Sequence, residues 1–495
     1  MKQKLIHINP LQAASKQGHE NVVQMLLDRG TNFGTALIDA SEQGHENIVQ
    51  MLLDGGADVN AAGNNDRTPL IAASEEGHEN IVRMLLDRGA NVDAEGIVYS
   101  GRCRAALVAA SRRGHSSIVH ALLEKGADVH ATTAKGETAL QVASERGHEK
   151  IVQALLAKGA PIDGQQMLEA PLEAAASSGN VSIFWMLLNA VPNVNATPGY
   201  LGTALQVASY WGNEEFVQAL LDKGADINAR GRRFESALEA ASAGGHESIF
   251  QILLDNGANI VNARSGQYMT ILEAASSGGN ENIVRILLDR STDVNFREED
   301  LGKALETASF GGSTDIVRIL LDKGANSQRG SVDCALVGAS EGGHEEIVKI
   351  LLDEGGANVN AEGDRCRTAL ICAAYRGNAN VVQILLDHNA NINAQDKYGK
   401  TALYKASYRG NKKKVQMLLD RGADINIPCG EFGNALYVAS RNEHEHIVQL
   451  LLDRGADPNA EGGKWGTALR AAREATTNGK IVQMLLDRGA TDPLR

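Results

Sequence analysis

Several groups of residues in this chain have the types and spacing that chemistry requires. Gly338-Ala339-Ser340-Glu341-Gly342 has the GxSxG spacing of a hydrolase nucleophile elbow, where a serine is presented on a sharp strand-to-helix turn to attack an acyl carbon. Tyr398-Gly399-Lys400-Thr401 matches the end of a phosphate-cradling P-loop. Histidines recur in one setting at His19, His45, His78, His115, His148, His246, His344 and His444, the residue type a zinc ladder needs. A column of aspartates from Asp28 to Asp487 offers the oxygen ligands that calcium favours.

Whether such residues can act depends on the elements that hold them. A glycine recurs at Gly18, Gly44, Gly77, Gly114, Gly147, Gly179, Gly212, Gly245, Gly279, Gly312, Gly343, Gly377 and Gly410. Glu443 takes its place once, and Gly479 closes the series in a repeat with one inserted residue. Fifteen repeats with a dominant period of 33 residues result. In each, a turn residue such as Thr138, Thr203, Ser236 or Thr401 offers an oxygen to the free N–H groups of a short helix, ALxxAS. Glycine ends that helix in the left-handed conformation. A second helix, IVxxLL, follows, and a further glycine (Gly126, Gly159, Gly224, Gly422) stops it before the segment GADVNA. One such unit cannot bury its own apolar face, so neighbours must stack into a solenoid.

Set on these elements, the chemical readings fail. Ser340 falls inside a helical pattern, and the same serine recurs in twelve of the fifteen repeats, mostly without flanking glycines. The P-loop match lacks its first glycine, since Ala394 stands there, and no strand precedes it. Asn180, Asn213, Asn280, Asn378 and Asn411 replace the histidine in five repeats, and Ser313 in one. Asn copies the hydrogen bonding of imidazole but neither titrates near neutrality nor binds zinc well, so a turn-bracing role is expected. The aspartates sit at helix C-termini with Lys or Arg usually following, which reads as solvated local ion pairs. The expectation is no catalytic residue, no cofactor and no metal.

Composition sets further bounds. The 495 residues are 43% hydrophobic and carry a formal charge of −13, which disfavours a surface that coats nucleic acid. No run reaches the roughly 18 apolar residues of a membrane span, and the start MKQKLIHINP lacks an apolar signal core. Five cysteines (Cys103, Cys334, Cys366, Cys372, Cys429), with no CxxC pair, indicate neither a disulfide framework nor a zinc module. A soluble, cytoplasmic chain is expected, with the nucleus as the alternative, and a monomer.

The period, the helix order, the GH dipeptide and LLxxGADVNA together resemble the ankyrin repeat over nearly the whole chain. The variant GTALQVAS…GNEEFVQALLDKGADINA resembles more narrowly the fungal arrays often attached to a nucleotide-binding NACHT domain; no such domain is present in these residues. The family's TPLHLAA opening survives only in part, as Thr68-Pro69-Leu70-Ile71, and other residues replace its histidine. The resemblance implies an all-α ankyrin-repeat solenoid over 1–495, of about 15 helix-turn-helix repeats with short β-turn fingers. Repeats would begin near residues 10, 35, 68, 102, 136, 169, 201, 234, 268, 301, 333, 366, 400, 432 and 465.

The resemblance also implies that the two residues between AS and Gly face a concave groove. Information must lie where repeats disagree, and this slot varies most: Arg112-Arg113 in one repeat, Glu145-Arg146 in the next, Tyr210-Trp211 in a third. Phe310, Tyr375-Arg376 and Tyr408-Arg409 occupy it elsewhere. Arg112, Arg113, Arg146, Tyr210, Trp211, Phe310, Tyr375, Arg376, Tyr408 and Arg409 are therefore the candidate partner-binding residues, with Tyr210 and Trp211 as an exposed aromatic anchor. Gly244, Gly278, Gly311 and Gly342 fill the second slot of four repeats and would leave a shallow trough for a partner's backbone. Residues 365–421 hold eleven Lys or Arg against three Asp, with four tyrosines interleaved, a pattern that grips acidic peptides or single-stranded nucleic acid. Trp185, at the outward position of a second helix, should be solvent-accessible. The function expected is a non-enzymatic protein-recognition scaffold whose partner is a protein, an acidic one being a candidate. The alternatives are a small-molecule or catalytic site in the aromatic trough, or acidic-peptide or nucleic-acid binding at the basic segment.

Overall fold

A computed structural model describes residues 9–63, 67–94, 105–133, 135–162, 170–195, 202–260, 270–290, 296–327, 329–363, 367–464, 466–475 and 479–491. Cys103, Arg365 and Cys366 lie outside the described residues. The helices come in pairs, and Ala139–Arg146 with Glu149–Ala157 shows why. Thr138 is extended (φ −85°, ψ 163°), and its hydroxyl oxygen accepts from the Gln141 N–H at 3.2 Å, satisfying one of the helix's free donors. Gly147 closes the helix at φ +78°, and the His148 N–H folds back to the Ala143 carbonyl at 2.9 Å. The second helix buries Ile151, Val152 and Leu155 between layers. Each such side chain contributes about 1.5–3 kcal/mol by leaving water.

The chain forms two compact units, one of Met1–Ala241 with Ser248–Asn259, the other of Ser242–Glu247 with Ile260–Arg495. Within each, first helices pack on neighbouring first helices and second on second, giving an all-α repeat solenoid. Among the described residues, β structure is limited to the isolated bridges Thr132–Thr138 and Glu362–Thr368 in the turns. Two first helices are longer than the period predicts, Glu298–Gly311 and Arg329–Gly342. Lys303 and Cys334 stand where Thr138 and its counterparts would break the chain, so helix continues upstream. For the first of these helices the carboxylate of Asp300 accepts from the Arg297 N–H and starts it.

Three ladders join successive pairs. His78 lies over Gly44, where a Cβ would stand 2.5 Å from its Cε1, and its Nε2–H donates to the Glu42 carbonyl at 3.1 Å. His45, His115, His148, His344 and His444 repeat the bond to Lys16, Glu75, Arg112, Phe310 and Tyr408. The bracing expected within the turn thus runs between pairs, from imidazole to the preceding pair's slot residue. Asn213, Asn280 and Asn378 make analogous bonds from their amide nitrogens. In the outer turns, the side-chain oxygen of Asn60 accepts from the Asn91 N–H, that of Asn360 from Asn391, and that of Asn426 from Asp457. Finally, the local ion pairs expected for the aspartate column are replaced by ion pairs between layers, with local bonds coming from glutamines such as Gln50 to Asp54. Several of the basic residues reach back one pair: Arg88 to Asp54 (2.7 Å), Lys125 to Asp87 (3.1 Å), Arg421 to Asp387 (2.8 Å), Arg454 to Asp420 (2.9 Å). Gln50 and Arg88 hold the Asp54 carboxyl below the usual carboxylate range.

Candidate interaction surfaces

In the first unit, the candidate arginines divide. Arg112 donates from Nη2 to Glu137 at 2.6 Å, and its side chain is only 25% exposed, so it ties two layers together. Burial works against ionisation of Glu137, but the Arg112 bond and charge hold its carboxyl below its ordinary value. Arg113 is exposed, with the Glu75 carboxylate at 3.8 Å. Arg146 is exposed. Arg67 is a brace that the sequence reading missed: it reaches Glu42 at 2.5 Å and Glu75 at 2.8 Å. The signal was a charge just ahead of Thr68 opposite the preceding slot, as Glu137 lies ahead of Thr138 opposite Arg112.

Tyr210 and Trp211 also part company. Trp211 is 52% exposed. Tyr210 is half-buried, tilted against the buried Phe234 at 5.0 Å between ring centroids, with the Arg233 guanidinium 4.8 Å above its ring and 5.1 Å above Phe234. The aromatic pair is therefore an exposed tryptophan standing edge-on (5.4 Å, 81°) to a packed tyrosine, not two free side chains. Arg233 and Phe234 escaped notice because they lie in the turn of the following repeat. Trp185 is 37% exposed, and its Nε1–H donates to Glu215 at 3.2 Å.

In the second unit, the glycine trough is largely filled. A Cβ on Gly278 would stand 2.4 Å from the Ser242 carbonyl oxygen, and one on Gly342 would meet His344 and the Phe310 carbonyl. These glycines admit the adjacent layer rather than a partner's backbone. Gly311, by contrast, has open space. Phe310 beside it is 53% exposed. Ser340 is fully buried in the helix Arg329–Gly342, with no route to a substrate. Burial raises the Cys372 and Cys429 thiols to about 11, far from nucleophilic thiolates. Among the described residues no cluster of His, Cys, Asp or Glu could hold a metal, and no helix is long and apolar enough to cross a membrane.

The basic segment is less uniform than its composition. Lys414 is buried, and its Nζ donates to the carbonyls of Ala374 (2.9 Å), Gly377 (3.0 Å) and Ala373 (3.2 Å) at the end of the helix Ala369–Tyr375. Burial, with Arg409 nearby, draws its pKa below the ordinary lysine value. It adds no surface charge, contrary to the sequence count. The signal was legible, since Lys414 stands where other repeats carry Ile48, Ile151, Ile283 or Val381. Around it, the ring of Tyr375 has Arg409 at 5.2 Å, Lys405 at 5.6 Å and Arg376 at 5.9 Å, with Tyr408 6.2 Å away. A cleft of about 260 Å³ opens there, lined by Glu341, Arg367, Tyr375, Arg376, Asp396 and Lys405 among others.

Comparison with known proteins gives the family. A model of ankyrin repeats (three copies) matches residues 11–96, 106–198, 237–331, 271–363 and 336–429, and a second, of many copies, matches 205–254 and 408–452. No curated protein matches the chain. Among solved structures, the human ASB11 ankyrin repeat domain is similar at 28% identity over 45% of this chain and 98% of that one, with a TM-score of 0.39. Matched by ankyrin models over most of its length, and built of helix pairs closed by left-handed glycines, the chain belongs to the ankyrin-repeat family.

Proposed function

We propose that the chain is a non-enzymatic recognition scaffold that binds a protein partner through its variable-slot residues and turn tips, with Trp211 as the principal anchor in the first unit. Ankyrin repeats generally mediate protein–protein interaction, which sets the class. The observation that carries the site is the state of Trp211. A large apolar ring is left 52% exposed while Tyr210, Phe234 and Arg233 fix its surroundings. The fold does not need it, because Arg112-Arg113 and Ser177-Ser178 fill the same slot in other layers. A rigid exposed aromatic offers much contact area at little entropic cost.

The test compares quantitative affinity capture by the wild type and by Trp211→Ser. A partner that is retained by the first and lost by the second, at unchanged melting temperature, is expected. Losing a tryptophan anchor costs about 2–4 kcal/mol, or roughly 30- to 1,000-fold in affinity. Equal capture by both proteins would defeat the assignment. Tyr210→Ser is the contrasting variant: because Tyr210 packs on Phe234, it should lower the melting temperature as well.

A further inference from the structure

Two clefts adjoin on the second unit. One, of about 430 Å³, has Phe310, Val337 and Gly338 in its wall, and it shares Glu341 and Arg367 with the cleft at Tyr375. Their charges differ. Beside Phe310, three carboxylates (Glu273, Glu306, Glu341) face Lys303 and Arg367, and Lys303 is already held by Glu306 at 2.8 Å. At Tyr375 the balance reverses. Glu341 is engaged by Arg376 at 3.2 Å and lies 3.9 Å from Arg367, while Asp396 is engaged by Lys405 at 3.1 Å. Arg409 stands over the same ring, exposed and without a carboxylate partner among the described residues. At the rim, the Lys400 ammonium lies 3.5 Å from the ring centroid of Phe432 and makes no ion pair among the described residues, although the Lys400 backbone N–H donates to the Asp396 carboxylate. Both carboxylates at this end are committed, and cationic charge is left over around an aromatic face.

We propose that this double cleft binds an extended acidic peptide, with a carboxylate side chain seated over Tyr375 between Arg376, Lys405 and Arg409 and an apolar side chain against Phe310. The proposal rests on the reading of the chain as a protein-recognition scaffold and names the partner chemistry of a second site on it. A peptide fits better than a nucleic acid because its carboxylates, on separate flexible side chains, can reach Arg409 while turning away from Glu341 and Asp396, whereas a phosphate backbone fixes a charge at every unit. Tyr375 is also already covered by cations rather than free to stack with a base. Phe310 and Tyr375 are two layers apart, and layers pack about 10 Å from each other. An extended chain rises about 3.3 Å per residue, so the apolar and acidic residues should be roughly six positions apart.

The test uses fluorescein-labelled synthetic peptides with a leucine six positions from a run of four glutamates. Matched probes carry four lysines, or are a single-stranded oligonucleotide of equal charge. Fluorescence anisotropy with the full chain should show salt-sensitive binding of the glutamate peptide and none of the lysine peptide. Arg409→Glu should weaken binding at least about tenfold, and more at low salt, without lowering the melting temperature. Phe310→Ser should weaken the leucine-bearing peptide but not a glutamate run lacking the leucine. Absence of binding, insensitivity to Arg409→Glu, or tighter binding of the oligonucleotide would each overturn the proposal. Because Trp211 lies in the other unit, a Trp211-dependent partner captured while the glutamate peptide fails would sink this site and leave the scaffold reading standing.

Discussion

Lys414 is the most consequential single side chain to perturb. Truncation by Lys414→Ala removes the donor from Ala373, Ala374 and Gly377 at once. Each carbonyl left buried without a partner costs about 1–3 kcal/mol. The lost aliphatic stem adds about 0.8 kcal/mol per methylene. Relief from burying an ammonium, worth several kcal/mol, offsets part of this. The net expectation is a loss of about 3–4 kcal/mol. Lys414→Ile should behave differently. It restores the side-chain type of Ile48 and Ile151, and the helix Ala369–Tyr375 can then close as its neighbours do. At present Gly377 lacks the left-handed φ of Gly147 (+78°) and Gly410 (+69°), and the carbonyl of Ala373 receives the ammonium where that of Ala143 receives the His148 N–H. A cost under about 1.5 kcal/mol is expected. Because each layer touches only its neighbours, the damage should be local. Native-state hydrogen exchange should show faster opening in Ala369–Asp420 for Lys414→Ala and unchanged protection in Ala139–Ala157, with urea unfolding giving the energy. Lys414→Ala within about 1 kcal/mol of the wild type, or Lys414→Ile worse than Lys414→Ala, would refute the reasoning.

Two other perturbations separate packing from exposure. Gly278→Ala places a methyl 2.4 Å from the Ser242 carbonyl oxygen and should cost about 1–3 kcal/mol, whereas Gly311→Ala, with nothing within 4 Å, should stabilise by about 0.5–1 kcal/mol; paired thermal melts decide. His388 takes the place of Arg or Lys in the rungs of the aspartate column, bonded to the Ile384 carbonyl at 2.8 Å and to Asp353 at 3.1 Å, and both contacts raise its pKa above 6.5. Its contribution is therefore complete below the unfolded-state value and disappears as pH rises through the higher folded-state value. Being partly exposed, it is worth under about 1 kcal/mol. NMR titration should place His388 above 6.5 and move it down in Asp353→Asn; an unmoved value would show that the pair is not formed.

The helix pairs were legible because they follow from local rules: Thr138 as a cap, Gly147 at positive φ, and apolar residues at Ile151, Val152 and Leu155. What the sequence hid is mostly what one layer does to the next. The His78 bond to Glu42 and the Arg88 bond to Asp54 join residues 36 and 34 positions apart, and only the stacking register shows that they meet. Arg112 and Trp211 looked equivalent as slot residues, yet one is consumed by Glu137 and the other is free of such a tie. A glutamate precedes the next cap in both cases, Glu137 before Thr138 and Glu235 before Ser236, but Glu235 is paired with Arg230. Lys414 was counted with the solvated lysines because charge was tallied along the chain rather than by position in the period.

The ladders share a property that bears on how such a chain changes length. Most rungs link one layer to the layer before it through the same pair of positions, so a tandem duplication or an excision of one period would deliver a copy with most of its rungs already matched. The junction at Lys414 is the exception. Its ammonium requires a first helix that ends as Ala369–Tyr375 does, and that helix end lacks the glycine cap that would let it stand without the lysine. These two layers would be inherited together or lost together, which makes them a fixed point around which other repeats can be gained and shed.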